Sequence, residues 1–344
     1  MNGISWKLSG WRGGGPSRSL GACLRRALGA LGGVTVLLVF ASAAGAQSPT
    51  ATATAAKGPL TLTDDTGETL VLAAPAQRIV SLAPGATEML FAAGAGDRIV
   101  ATVMAADEPA AAKKILRIGD ANALNYERLV ALKPDAVVVW EDLTNRLVVE
   151  SLRKIRMPLY FIRTKALADI PKSVRQLGRL AGTGEAAEKA AKAMDARIAA
   201  IGHRKVTGEP LRVFYMIWDE PLYTVGGRHV ISDAIARCGG RNIFDDIAFP
   251  APIVEMESVV KRDPDVMLLS APPITARDWR ERWGRYSTIR AVQTRQILTF
   301  SDTRLDRMGP TAIDAVEDLC VQLDLARKAL AAPAAATVPA APRR

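Results

Sequence analysis

"YERLVALKPDAVVVW" at residues 126–140 and "MESVVKRDPDVMLLS" at residues 256–270 are two copies of one pattern. Each has a glutamate in second place (Glu127, Glu257), apolar residues two and three positions on, a Pro-Asp pair, and then an apolar run. The pattern predicts a short helix opened by the glutamate, ended by the proline and followed by a strand. A carboxylate in the first turn is favoured by the free N–H groups and the helix dipole there. Two copies of one helix–strand unit predict two similar α/β lobes.

Outward from these copies the same rhythm recurs. "RIVSLA" (78–83), "RIVATVM" (98–104), "DAVVVW" (135–140) and "LYFIRT" (159–164) are apolar runs in the first half. "RVFYMIW" (212–218), "DVMLLS" (265–270) and "QILTF" (296–300) are their counterparts in the second. Runs that are apolar throughout, without alternation, predict strands covered on both faces and therefore parallel sheets. "LTLTDDTGETLVL" does alternate, around Asp65-Thr66-Gly67, and predicts a short hairpin at the start of the first lobe. Between the two halves, residues 169–203 lack strand signals and are rich in Ala, Lys, Arg and Glu. They predict a helix, a break at Gly182-Thr183-Gly184, and a long helix to about Ile201. The expected layout is a signal peptide (1–46), a flexible linker (47–58), an N-terminal α/β lobe (59–168), the connecting helical segment (169–203), a C-terminal α/β lobe (204–328) and a disordered Ala/Pro tail (329–344).

Half of the formal net charge of +10 lies at the start of the chain. Lys7, Arg12, Arg18, Arg25 and Arg26 fall within the first 46 residues, which hold no acid. The remainder has no dense basic run, which argues against nucleic-acid binding. Arg25-Arg26, the apolar stretch that follows and the small residues Ala44-Gly45-Ala46 read as an export signal cut after Ala46. A membrane anchor is the competing reading, but the apolar stretch is short for a spanning helix. Export to an oxidising compartment bears on the cysteines. Cys23 leaves with the signal, and Cys238 and Cys320 remain as an even pair. We expect them to be bonded, against the alternative of two buried free thiols.

Enzyme signatures are missing: there is no Gly-x-Ser-x-Gly, no His-Glu-x-x-His and no P-loop. "GAGDRI" at 94–99 has Ile99 where a dinucleotide loop needs its last glycine, and it precedes a strand. The two histidines are His203, at the end of the long helix, and His229, in a loop leading into a helix. A lone His229 without a neighbouring Cys or His is a weak metal or heme ligand. Neither catalytic residues, nor a metal site, nor a cofactor is expected, and binding is favoured over catalysis. Ligands of open α/β sheets sit beyond the carboxyl ends of the strands. Trp140, Trp218 and Tyr223 follow or end predicted strands, and such aromatics suit a large planar or amphipathic ligand.

"RIVSLAPGATEMLFAAGAGDRIVA", "NYERLVALKPDAVVVW" and "CGGRNIF", in this order, resemble the periplasmic substrate-binding proteins of ABC importers for vitamin B12, heme and iron-siderophores. The resemblance covers about residues 60–326. It implies two Rossmann-like α/β lobes joined by a single long helix, with cargo held between them and little hinge closure. The vitamin B12-carrying members are nearest, which implies cobalamin or a related corrinoid as cargo, with a ferric siderophore or heme as the alternative. It also implies a Cys238–Cys320 bond, docking of Glu127 and Glu257 onto the permease dimer of the inner membrane, and a periplasmic monomer as carrier. Trp140 and Tyr223 match pocket positions, and Ser301, Asp302, Thr303, Arg304 and Leu305 match a loop that borders the ligand. Three family aromatics fall on Ala105, Ala121 and Ala251, and Arg304, Asp306 and Arg307 add charge beside the loop. Heme-carrying members supply a Tyr or His to iron, and Tyr126 and His229 are the candidates for that role.

Overall fold

In the computed structural model the apolar runs become the parallel strands of two separate sheets. The structure describes residues 59–120, 123–141, 144–271, 273–300 and 304–332. The signal peptide and linker, Ser301 to Thr303, Ala121 and the tail from 333 lie outside the described residues.

An antiparallel hairpin, β1 (Leu60–Thr63) and β2 (Thr69–Leu72), comes first. Asp64 accepts from Thr66 N, Thr66 Oγ1 and Glu68 N, which closes the turn, and also from Phe161 N. Asp65 accepts from Arg163 N, so the hairpin is tied to the edge of the first sheet. That sheet contains β3 (Ile79–Ser81), β4 (Ile99–Thr102), β5 (Ala136–Trp140) and β6 (Leu159–Ile162), in the order β4-β3-β5-β6, all parallel. The helices α1 (Pro84–Ala92), α2 (Tyr126–Ala131) and α3 (Arg146–Lys154) connect its strands.

The connecting segment is α4 (Asp169–Ala181) and α5 (Gly184–Gly202). Gly182 separates them at φ +69°, a left-handed conformation that an L side chain resists, and Thr183 N closes the turn onto Gly178 O. The second sheet is built from β7 (Leu211–Asp219), β8 (Leu222–Thr224), β9 (Gly240–Asn242), β10 (Val266–Leu269) and β11 (Ile297–Thr299). Helices α6 (Val230–Arg237), α7 (Met256–Arg262), α8 (Pro273–Trp283), α9 (Arg290–Gln293), α10 (Arg304–Arg307) and α11 (Ala312–Ala331) complete the chain. β9 pairs with the start of β7 and β8 with its end, while β10 and β11 extend the other side. Taking the parallel strands alone, each sheet has the order second-first-third-fourth. The two lobes therefore share a topology as well as a sequence motif.

The repeat explains why. Asp135 Oδ2 accepts from Gln77 N and Arg78 N at 2.8 Å each, and Asp135 N donates to Arg78 O. In the second lobe Asp265 Oδ2 accepts from Arg212 N at 2.8 Å, and Asp265 N donates to Arg212 O. Each Pro-Asp aspartate thus clamps the start of the lobe's first strand to the start of its third. The residue before each proline, Lys133 and Asp263, has φ +44° in both copies. The helices end in this left-handed turn just ahead of the prolines (134 and 264), a refinement of the expected stop.

The core is shared. One apolar cluster runs from Met89 and Trp140 through Leu177 and Ile198 to Ile235, Val316 and Leu323. α5 packs on α4 and α1 and also on α11, so the lobes are joined by buried packing and not by a bare linker. Cys238, which caps α6, is bonded to Cys320 on α11, as expected. Among the described residues no helix is long and apolar enough to cross a membrane.

Candidate functional site

Among the described residues, the predicted binding residues fall into exposed and buried sets. Trp218, at the end of β7, is 44% exposed, meets Trp279 edge-on at 6.3 Å, and donates from Nε1 to Glu220 O. Tyr223 pairs with Trp218 across the β7–β8 turn and bridges Ile253 on its other side. Residues 247–254 run beside β8, with Thr224 N on Pro252 O and Gly226 N on Pro250 O. They add the exposed Phe249 and Ile253 to this end of the second lobe, flanking Ala251, where the family aromatic is missing. Sequence reading passed over both, because one apolar residue in a loop has no periodicity to mark it.

Trp140 is 1% exposed. Its ring edge lies against Gly85 at the start of α1, inside the shared core. Leu305 is also fully buried, and anchors α10 in that core. Both were expected to contact cargo, and in this structure both are buried. Ser301, Asp302 and Thr303 lie outside the described residues.

Four arginines near the strand ends have acidic partners, whereas Arg117, which donates to Ala106 O beyond β4, and Arg280, which donates to Thr299 Oγ1 at the end of β11, have none among the described residues. Arg163 Nε meets Glu141 at 2.7 Å, and Arg282 lies 3.2 Å from Asp219 and 2.9 Å from Glu220. Arg304 pairs with Asp318 at 3.0 Å and Arg307 with Asp107 at 2.6 Å. Asp306 accepts from Tyr215 Oη at 2.9 Å and Ser270 Oγ at 2.8 Å, which ties α10 to the middle of β7 and the end of β10.

The lobes meet at Glu88. This α1 side chain is 4% exposed, and its Oε2 accepts from Thr311 N at 3.2 Å and Thr311 Oγ1 at 2.6 Å. Burial pushes the Glu88 carboxyl up, against the Thr311 hydrogen bonds and the Arg307 charge. Burial works in the same direction on Asp107, but the Arg307 guanidinium outweighs it and holds that carboxyl below its ordinary range. None of these contacts has a local sequence signal, since the partners lie some two hundred residues apart.

His229 is buried and caps α6, with Nδ1 accepting from Ile231 N at 3.2 Å. Burial pushes its pKa down to about 4, so the ring is neutral and its Nδ1 is occupied. Tyr126 opens α2 and packs half-buried on the first lobe's outer core. Among the described residues no group of three or more His, Cys, Asp or Glu side chains is placed to hold a metal ion. Glu127 and Glu257 occupy the same place in α2 and α7, are exposed, and have no ion-pair partner among the described residues. A cavity of about 390 Å³ between β11, α8 and α11, lined by Arg280, Leu298, Gln322 and Leu325, contains none of the predicted site residues.

Residues 79–302, from the first residue of β3 to just past β11, match the family model described as periplasmic binding protein. The chain belongs to the periplasmic binding protein family. A periplasmic binding protein with this chain's sheet order has known relatives on both levels. The vitamin B12-binding protein of Vibrio cholerae serotype O1 is 32% identical over 254 residues, covering 74% of this chain and 91% of the relative. The crystal structure of the periplasmic vitamin B12 binding protein BtuF of Vibrio cholerae superposes with a TM-score of 0.68 at 32% identity, over 74% of this chain and 99% of that one. The periplasmic heme-binding protein RhuT from Roseiflexus sp. RS-1, in its apo form, gives a TM-score of 0.64 at 25% identity, over 73% of this chain and 98% of that one. These confirm the expected family and the two-lobed α/β fold.

Proposed function

We propose that this protein is the periplasmic substrate-binding component of an ABC importer, and that it captures cobalamin or a related corrinoid between its lobes. It acts by binding, without turnover of the cargo. The lobes are assigned to residues 59–168 and 204–328, with 169–203 between them, and the exported form is a monomer cut after Ala46.

The observation that carries the choice of cargo is the state of the charged groups at the strand ends. Arg163, Arg282, Arg304 and Arg307 there are each engaged by an acid, and His229 is buried with its Nδ1 occupied. Such a surface suits a large cargo with a neutral, amide-bearing rim better than one that needs a cation for carboxylates or an axial histidine for iron. Trp218 and Tyr223 supply the flat contacts, with Ser301, Asp302, Thr303 and Arg304 bordering the ligand. Trp140 and Leu305 support that surface from behind. The 32% identity to vitamin B12-binding proteins supports the same reading, while the likeness to a heme-binding protein supports the alternative of heme or a ferric siderophore. Glu127 and Glu257, equivalent and unpaired, would present one carboxylate per lobe to the permease dimer, which orients docking more than it adds affinity.

Calorimetry against cyanocobalamin, cobinamide, hemin and a small siderophore panel tests the reading. Tightest binding of a corrinoid supports it; tighter binding of hemin or a ferric chelate replaces it with the alternative.

A further inference from the structure

We propose that Asp107 sets the charge preference of this site: by engaging Arg307 it withholds a fixed guanidinium from carboxylate-bearing cargo and so favours cargo with an uncharged rim. The inference rests on the proposed site between the lobes, and it names the residue pair that discriminates there.

Asp107 lies in the loop that leaves the carboxyl end of β4, and Arg307 ends α10, just beyond β11. Both are on the side of their sheets where ligands of open α/β folds bind. Their side chains meet at 2.6 Å across the two lobes, with Asp107 49% exposed and Arg307 17%. The pair is therefore set at the margin of the seam: the atoms that meet, Asp107 Oδ1 and Arg307 Nη1, are buried, while the rest of the Asp107 side chain is half exposed.

Arg307 has little freedom to leave. Leu305 is buried beneath the same helix, and Asp306 is held by Tyr215 and Ser270. The guanidinium's second acid is Glu88, at 3.8 Å, and the other oxygen of Glu88 is committed to Thr311. Asp107 is thus the close counter-charge. A carboxylate on an incoming cargo would meet Asp107 first and be repelled, or would have to displace it from Arg307. An amide carries neither penalty. Without Asp107, Arg307 becomes a fixed fork suited to a carboxylate.

The test uses matched neutral and anionic probes with the full mature chain. Asp107→Asn keeps the shape and removes the charge. Affinities are measured by calorimetry for cyanocobalamin against a cobalamin monocarboxylic acid, and for hemin dimethyl ester against hemin. Thermal melts establish that each variant is folded, with Asp107→Ser as a second substitution. The wild type should favour the neutral member of whichever pair it binds. Asp107→Asn should narrow that preference by about fivefold, the scale of one partly exposed charge interaction. In the Arg307→Gln background the same substitution should change the ratio much less.

A ratio unmoved by Asp107→Asn overturns the proposal, as does a shift that persists in full without Arg307. Wild-type preference for the hemin pair removes the corrinoid reading but leaves the charge filter to be judged on that pair. Failure of the wild type to bind any of the four probes removes both.

Discussion

Gly85, at the start of α1, lies so close to Arg307 that a Cβ at position 85 would sit 2.1 Å from the Arg307 carbonyl oxygen and 2.8 Å from the Trp140 ring. The first lobe's leading helix, the end of its third strand and the second lobe's α10 converge on one residue without a side chain. Gly85→Ala forces backbone to move, because the obstacle is a main-chain oxygen and not a flexible side-chain tip. Overpacking of this kind costs about 1–3 kcal/mol. Urea unfolding should show a lowered midpoint, and an unchanged midpoint would mean that the seam yields freely.

Thr311 gives Glu88 two donors across the same seam. Thr311→Val removes the hydroxyl and leaves a buried carboxylate oxygen with the backbone N–H alone, at a cost of about 1–3 kcal/mol. Because burial raises the Glu88 carboxyl above its ordinary value, the native state holds that proton more tightly than the unfolded state. Glu88 therefore contributes a loss of stability as pH rises from the ordinary carboxylate range through its raised native value. Glu88→Gln should flatten this part of the stability–pH curve. If the wild-type and Gln profiles run parallel there, Glu88 titrates normally.

His229 acts in the opposite sense. Its native pKa is about 4, below the ordinary 6.5, so the native state resists the proton that the unfolded chain accepts. The contribution is fully present above pH 6.5 and is lost as pH falls towards 4, amounting to about 3 kcal/mol. Asparagine is a good N-cap without a titrating ring. Melting curves of His229→Asn should lose the corresponding slope between these pH values; retention of the slope would assign it to other groups.

The Cys238–Cys320 bond spans 82 positions and ties α6 to α11 within the second lobe. A closed loop of that length constrains the unfolded chain by about 4 kcal/mol in the entropy model. The double serine variant should lose about 2–5 kcal/mol of stability while cargo affinity, measured under conditions where the protein remains folded, stays within about twofold. A large loss of affinity in the folded variant would tie the bond to the site.

Charge reversal at Glu127 and Glu257 should abolish cargo uptake in cells and leave cargo affinity in solution unchanged. Neither residue is among those proposed to bind cargo, and each is exposed on its own lobe. Uptake that persists in the double variant would exclude them from permease docking.

The repeat at 126–140 and 256–270 was legible because its information is local. Apolar runs, a helix-opening glutamate and a proline act within a few residues of themselves, and they led to the strands, the two lobes and the helical segment between them. The same logic failed where elements are short. β9 is three residues, Gly240-Arg241-Asn242, inside "CGGRNIF", and its strand character comes from pairing with β7 and not from its own side chains. Trp140 shows the limit from the other side: its place at a strand end was readable, but its burial beneath Gly85 was not.

The sequence by itself determined the layered α/β fold, the cysteine pair and the equivalence of the two glutamates, since these follow from residue type, spacing and repetition. Only the tertiary structure decided that Glu88 meets Thr311, that Asp107 engages Arg307 and that His229 is closed off as a helix cap. Those contacts depend on how two separately patterned lobes approach each other, or on which side chains a packed core encloses. Periodicity carries no record of either.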